Sequence, residues 1–130
     1  MAKNTSGLRF TKQMGTKKKK RKSHPESIVQ AKNGRCLLCM FDEGIIDEQY
    51  TEEHHIFDGP NRDNSEKYGL KVYLCIRHHR EGPDAVHNNI RNMRRMQRLG
   101  QQAFVNQIGT RQQFYELFGR FYDEEKDDDH

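Results

Sequence analysis

Three cysteines and five of the seven histidines in this chain fall between positions 36 and 87. Cys36 and Cys39 form a C-x2-C pair, and Cys75 with His78 forms a C-x2-H pair. Two knuckles of soft or borderline ligands, joined by a connecting segment, are the layout of a closed tetrahedral zinc site. Buried free cysteines with a chance histidine are the weaker reading, because the paired spacing recurs at both ends. His54, His55, His79 and His87 form a second group placed around the second knuckle. Such a group suits metal-assisted hydrolysis, in which one imidazole binds a divalent ion and its neighbour activates water beside it. Adjacent side chains on a regular strand point to opposite faces, so convergence of His54 and His55 calls for a twist or bulge at the strand end.

The elements that must position these residues have little apolar material. The 130 residues are 32% hydrophobic and 32% charged, with no Trp, which allows one domain at most and a small core. Structural zinc substitutes for the missing core, since its binding supplies about 10 kcal/mol or more of folding free energy in small peptides. Residues 35–41 fit a short knuckle or hairpin. Residues 51–57 and 70–75 are runs rich in β-branched and aromatic side chains, separated by the turn chemistry of Asp58-Gly59-Pro60-Asn61, and predict two strands. Asp84 reads as the N-cap of a helix over 85–99, with Val86, Ile90, Met93, Met96 and Leu99 near helical spacing and Gly100 as its stop. A helix over 101–108 ends at Gly109, and Thr110 caps another over 111–118 that ends at Gly119. Phe104, Phe114, Tyr115, Phe118, Phe121 and Tyr122 are read as core packing rather than as stacking surfaces for bases. The fold class expected is α+β.

Charge divides the chain in three. Residues 1–35 hold 11 Lys+Arg and one Glu, residues 36–122 hold 11 basic and 12 acidic residues, and residues 123–130 hold one Lys and six acids. A basic, disordered arm over 1–33, a near-neutral body over 34–122 and an acidic, disordered tail over 123–130 point to a polyanionic partner, DNA above all. The unbroken run Lys17, Lys18, Lys19, Lys20, Arg21 and Lys22 reads as a phosphate-binding arm, against a solubilising tail or a nuclear localisation signal. Arg91, Arg94, Arg95 and Arg98 share one helix face with no acid among them, a second candidate for contact with a nucleic-acid backbone. Arg62, Arg77 and Arg80 lie near the histidines in sequence and are candidates for phosphate contacts. No signal peptide and no membrane-length apolar run is present, so an intracellular protein without disulfides is expected.

The string Glu52-Glu53-His54-His55-Ile56, the later Leu74-Cys75-x-x-His78-His79 and the upstream C-x2-C resemble the zinc-knuckle HNH endonucleases of the ββα-metal (His-Me finger) superfamily. The stretch from Ser65 through Cys75 to His87 is similar to small HNH proteins of bacterial phages and prophages, and the likeness covers roughly residues 36–122. The resemblance implies a ββα-metal finger with a structural zinc knuckle followed by C-terminal helices, and a metal-dependent DNA endonuclease in the cytoplasm of a bacterial host. It implies His55 as general base, His54 and His79 as ligands of one catalytic divalent ion (Mg2+, Mn2+, Ni2+ or Zn2+), and products with 5′-phosphate and 3′-hydroxyl ends. A further ligand usually follows one helical turn later; His87, eight residues on, is the candidate here. The central Asn of the pattern is missing from its usual place, which leaves a backbone carbonyl, Asn61, Asn88 or Asn89 to orient the base. The alternative is a non-catalytic zinc module of phage origin that binds nucleic acid or protein.

Overall fold

Two four-residue strands, Glu52–His55 (β1) and Lys71–Leu74 (β2), pair antiparallel with Glu52 opposite Leu74 and His55 opposite Lys71. The structure, a computed structural model, describes residues 24–124. The cations Lys17, Lys18, Lys19, Lys20, Arg21 and Lys22 and acidic positions 125–130 lie outside the described residues. The strands are shorter than the apolar runs that predicted them: past His55 the chain keeps one bond to the partner segment, Ile56 N–H to the Leu70 carbonyl (3.0 Å), and Ile56 and Phe57 enter the core, where both are buried. Every residue of β2 is buried. Its outer edge is covered by the chain ahead of the first knuckle: Tyr73 N–H donates to Gln30 Oε1 (2.7 Å), Ser27 Oγ donates to the Lys71 carbonyl (2.5 Å), and Ile28 N–H donates to the Gly69 carbonyl (2.9 Å). Residues 24–33, assigned from composition to the arm, therefore pack against the sheet; their polar side chains do the pairing, which a hydropathy pattern does not register.

Helices complete a mixed α and β chain: Leu37–Glu43 (α1), Arg62–Lys67 (α2), Ile90–Gln107 (α3) and Arg111–Phe118 (α4). Helix α1 replaces the expected knuckle or hairpin. Cys36 is its N-cap, its Sγ accepting the Cys39 N–H at 3.4 Å, so the first C-x2-C pair is folded as a helix start. Helix α2 stands where only a turn was expected. It is pinned by buried Ser65, whose Oγ accepts the Phe57 N–H and donates to the Leu70 carbonyl.

The helices expected over 85–99 and 101–108 are one helix, α3, and it starts later. Asn89, not Asp84, is the cap, its Oδ1 accepting the Asn92 N–H at 3.1 Å. Gly100 does not stop the helix. A Cβ at this position would meet Ile56 Cγ2 and Phe57 Cε2 at 3.0 Å, so the glycine lets the helix approach the buried end of β1. Thr110 and Gln113 form a capping box at the start of α4, and Gly119 closes it in the left-handed region. Phe57 lies against Phe114, Phe118 and Tyr122 with ring centroids 4.6–5.5 Å apart, and Phe104 joins them. Tyr115 departs from the core assignment. It is exposed and pairs at the surface with Phe121, over which the Arg111 guanidinium stacks. Arg111 also pairs with Asp123 (2.9 Å) and Glu124 (2.8 Å), which ties the first two acids of the tail to α4. No helix among the described residues is long and apolar enough to cross a membrane.

Candidate metal centres and the adjoining histidine cleft

Cys36, Cys39, Cys75 and His78 converge in one buried cluster between α1 and the end of β2. His78 Nδ1 lies 3.5 Å from each of the three sulfurs, and Cys39 Sγ lies 3.9 Å from Cys75 Sγ. A tetrahedron with Zn–S of about 2.3 Å and Zn–N of about 2.0 Å has edges of about 3.5 Å (S to N) and about 3.8 Å (S to S). The four atoms thus already stand near the corners of a zinc tetrahedron, and the cluster can hold a structural metal such as zinc. Burial pushes the Cys36 thiol up to about 12, so a cation in the cluster is what would keep it as thiolate. Gln49 Nε2 donates to Cys39 Sγ at 3.4 Å, and Glu43 lies 3.5 Å from His78 Nε2 while pairing with Arg77. These neighbours orient the ligands.

The second group is assembled by a π-helical turn, Arg77–Glu81, that follows β2. It turns His78 toward the cysteines and His79 toward Glu52 of β1. Gly82 closes the turn with its N–H on the Arg77 carbonyl at 2.9 Å; a Cβ there would sit 2.7 Å from that same oxygen. The chain then folds back on the turn. Val86 N–H donates to the His78 carbonyl (2.8 Å) and His87 N–H to the His79 carbonyl (3.3 Å), while Asn88 Nδ2 donates to the carbonyls of Arg80 and Gly82. That return brings His87, eight residues on, beside His79.

His54, His79 and His87 consequently offer ligand atoms within 4.8 Å of one another. Their ring centroids stand 4.9–5.2 Å apart. His54 is 2% exposed, and its Nε2 is a buried polar atom without a hydrogen-bond partner among the described residues. Burial, with the neighbouring His79 and His87, lowers its imidazole to about 3, so it stands neutral with a lone pair to give. His79 Nδ1 donates to Glu52 Oε1 at 2.8 Å, which leaves Nε2 as its donor atom toward the cluster. Glu52 is held at about 2 by its bonds from Arg80 and His79. Three imidazoles, one orphaned and one oriented by a carboxylate, are a donor set that fits a divalent transition metal.

His55 lies apart from this group. The pairing from Glu52 to His55 contains no bulge, so His55 faces the opposite side of the ribbon from His54, together with Glu53 and Lys71. The expected convergence of the two side chains at a twisted strand end is not what the strand does. His55 Nε2 instead bonds Glu66 Oε1 at 2.7 Å, at the wall of a cleft of about 820 Å³ lined also by His24, Glu53, Arg62 and Lys67. Asn61, Asn88 and Asn89 do not approach it; they donate to the carbonyls of Phe118, of Arg80 and Gly82, and of Pro83. Glu66 is the neighbour that sequence reasoning missed. Its signal was its place eleven residues after His55, on a helix that turn chemistry concealed.

The arginines divide. Arg62 lines the His55 cleft. Arg77 and Arg80 are engaged bidentately by Glu43 and Glu52, and so support the two clusters from outside. On α3, Arg95 pairs with Asp42 through two bonds of 2.7 and 3.0 Å, and Arg94 donates to Gln97. Arg91 is exposed and Arg98 half-buried. The acid that relieves repulsion on this face comes from α1, where a scan of the helix's own sequence cannot see it. Comparison of the chain with protein-family models, with curated proteins and with solved structures finds no match.

Proposed function

We propose that this chain is a metal-dependent DNA endonuclease of the HNH type, with β1, β2 and the turn after β2 forming a ββα-metal finger beside a structural zinc knuckle. The observation that carries the reading is the convergence of His54, His79 and His87 around the orphaned Nε2 of His54. A buried imidazole without a partner costs stability, and a cation is the partner that this surrounding donor set can recruit. His54, His79 and His87 would hold a divalent ion, which would supply positive charge to the scissile phosphate and the leaving 3′ oxygen. His55, on the other face of β1, takes a proton from the attacking water. Among the described residues the sheet has two strands, and the outer edge of β1 pairs with no further strand. In this reading a phosphodiester lies across that edge, with the histidine cluster on one face of β1 and His55 on the other. Arg62 reaches phosphate from the cleft wall, and the run at 17–22, together with the face of α3 that carries Arg91, Arg94, Arg95 and Arg98, adds backbone affinity without reading sequence.

One observation favours a second reading, a zinc-stabilised module that binds nucleic acid or protein without cutting. It is the regular alternation that separates His54 from His55. Conversion of supercoiled plasmid distinguishes the two. The full chain with Mg2+, Mn2+, Ni2+ or Zn2+ nicks or linearises the plasmid, while EDTA, His55→Ala and His79→Ala each abolish the cutting. Plasmid binding by the wild type with no cutting under any of these metals would establish the module instead.

A further inference from the structure

We infer that Glu66 is the positioning residue of His55, fixing which ring nitrogen carries the proton, and that Lys71 and His24 hold its carboxylate for that task; the inference rests on the reading of His55 as the base. An ionised carboxylate only accepts hydrogen bonds. The 2.7 Å contact between Glu66 Oε1 and His55 Nε2 therefore requires the proton on Nε2 and leaves the lone pair on Nδ1. In the opposite tautomer Nδ1 carries the proton, and the nitrogen with the lone pair faces the Glu66 carboxylate.

Glu66 is built to stay ionised and in place. Lys71, directly opposite His55 in the strand register, reaches Glu66 Oε1 at 3.1 Å and Glu53 Oε2 at 3.2 Å with a side chain only 3% exposed. His24 Nδ1 binds the other oxygen, Oε2, at 2.8 Å. Burial pushes the Glu66 carboxyl up, but the bonds from His55, His24 and Lys71 outweigh it and hold it at about 2. Glu53, His55 and Glu66 have the composition of a further cation site. The Lys71 ammonium already bonds both carboxylates, so that group needs no metal and is better matched to a single acceptor role toward His55. The backbone agrees, since α2 carries Glu66 and the adjacent Ser65 staples α2 to both Phe57 and Leu70.

The test uses the full, zinc-loaded chain with 15N-labelled histidine, compared as wild type, Glu66→Gln and Glu66→Ala. Long-range proton–nitrogen correlation at pH 8 is expected to show wild-type His55 protonated at Nε2. Glu66→Gln, which keeps an acceptor oxygen, retains that tautomer, and Glu66→Ala gives a mixture or the opposite form. In plasmid cleavage Glu66→Ala lowers kcat by about 10- to 100-fold with KM unchanged, and Glu66→Gln restores most of it. Should the alanine variant fail to fold, Glu66→Asp keeps the charge beside Lys71 but withdraws it from Nε2, and the same readouts apply. A His55 tautomer unchanged in Glu66→Ala or Glu66→Asp overturns the inference. A wild type that never cuts defeats the nuclease reading instead, and the tautomer result then decides the role of Glu66 on its own.

Discussion

Replacing Cys75 with serine removes one corner of the Cys3His cluster, and the structure sets how large the consequence must be. Helix α1 has seven residues, well below the length at which an isolated helix is stable. Its buried residues Leu37, Leu38 and Cys39 belong to the same core cluster as Val72, Leu74 and Cys75. The metal cluster is the direct link between that helix and the end of β2. Structural zinc contributes about 10–16 kcal/mol in zinc-finger peptides, whereas a whole domain is stable by only about 5–15 kcal/mol. Loss of the metal therefore removes about as much free energy as the entire fold has. The expected outcome is that Cys75→Ser, or prolonged chelation of the wild type, abolishes the cooperative thermal transition seen by circular dichroism, and that added zinc restores it for the wild type alone. His79→Ala is the control, because it disturbs the other histidine group and should leave the cluster metal in place. A wild type stripped of metal, verified by elemental analysis, whose Tm moved by less than about 5 °C would refute the reasoning, since that corresponds to only about 1 kcal/mol in a domain of this size.

Gly100→Ala ought to stabilise an ordinary helix interior by about 1 kcal/mol. Here its Cβ meets Ile56 and Phe57 at 3.0 Å, both fully buried and unable to yield, so a net loss of about 1–2 kcal/mol is expected from urea denaturation, overpacking exceeding the propensity gain. Gly82→Ala sets a methyl 2.7 Å from the Arg77 carbonyl. It should open the π-helical turn and weaken cobalt binding at the His54, His79 and His87 group by at least about tenfold in a titration, while leaving the Cys3His metal bound; equal affinity in the variant would show that the turn does not position His87. Exchange of Arg91, Arg94, Arg95 and Arg98 for Gln should flatten the dependence of DNA affinity on salt. An unchanged slope in the quadruple variant would remove α3 from the interface.

What the sequence made legible was the chemistry whose spacing is local. The C-x2-C and C-x2-H pairs announce their cluster because each pair occupies one turn, and His79 announces itself by following His78 directly. Thr110 and Gly119 bracket α4 because capping is decided within a few residues. The failures share a cause, which is that tertiary contact overrode a local rule. Gly100 signals a helix end in isolation, but Ile56 and Phe57 make the absence of a Cβ the condition for close packing. Asp84 is a good cap by type, yet the fold-back that joins His87 to His79 consumes residues 82–89, so Asn89 caps the helix. Residues 24–33 look like part of a solvated arm because the groups that dock them, Ser27 and Gln30, are polar. Glu66 could not be connected with His55 from sequence, since the connection runs through a helix that a Pro-containing turn disguised.

The two histidine-bearing clusters are not independent, and the chain between Cys75 and His79 is the reason. Within five residues it supplies two ligands to the Cys3His cluster and one to the His54 group, with His78 and His79 turned to opposite sides of a single π-helical turn. The returning segment that delivers His87 is anchored on the carbonyls of those same two histidines. A metal on the Cys3His cluster would fix His78 and with it the rotation of the turn, and its loss would take that support from His79 and His87 as well. The coupling runs less strongly the other way, because His54 sits on β1, which is held by its pairing to β2 and by Ile56 and Phe57 in the core. Metal occupancy should therefore be ordered. Chelation that strips the Cys3His cluster must also empty the three-histidine group, whereas His54→Ala should empty the three-histidine group and leave the cluster loaded. Metal-to-protein ratios from elemental analysis of the two preparations measure this directly. A chain that kept a metal on His54, His79 and His87 after losing the one on its cysteines would show that the turn is held by something other than the zinc knuckle.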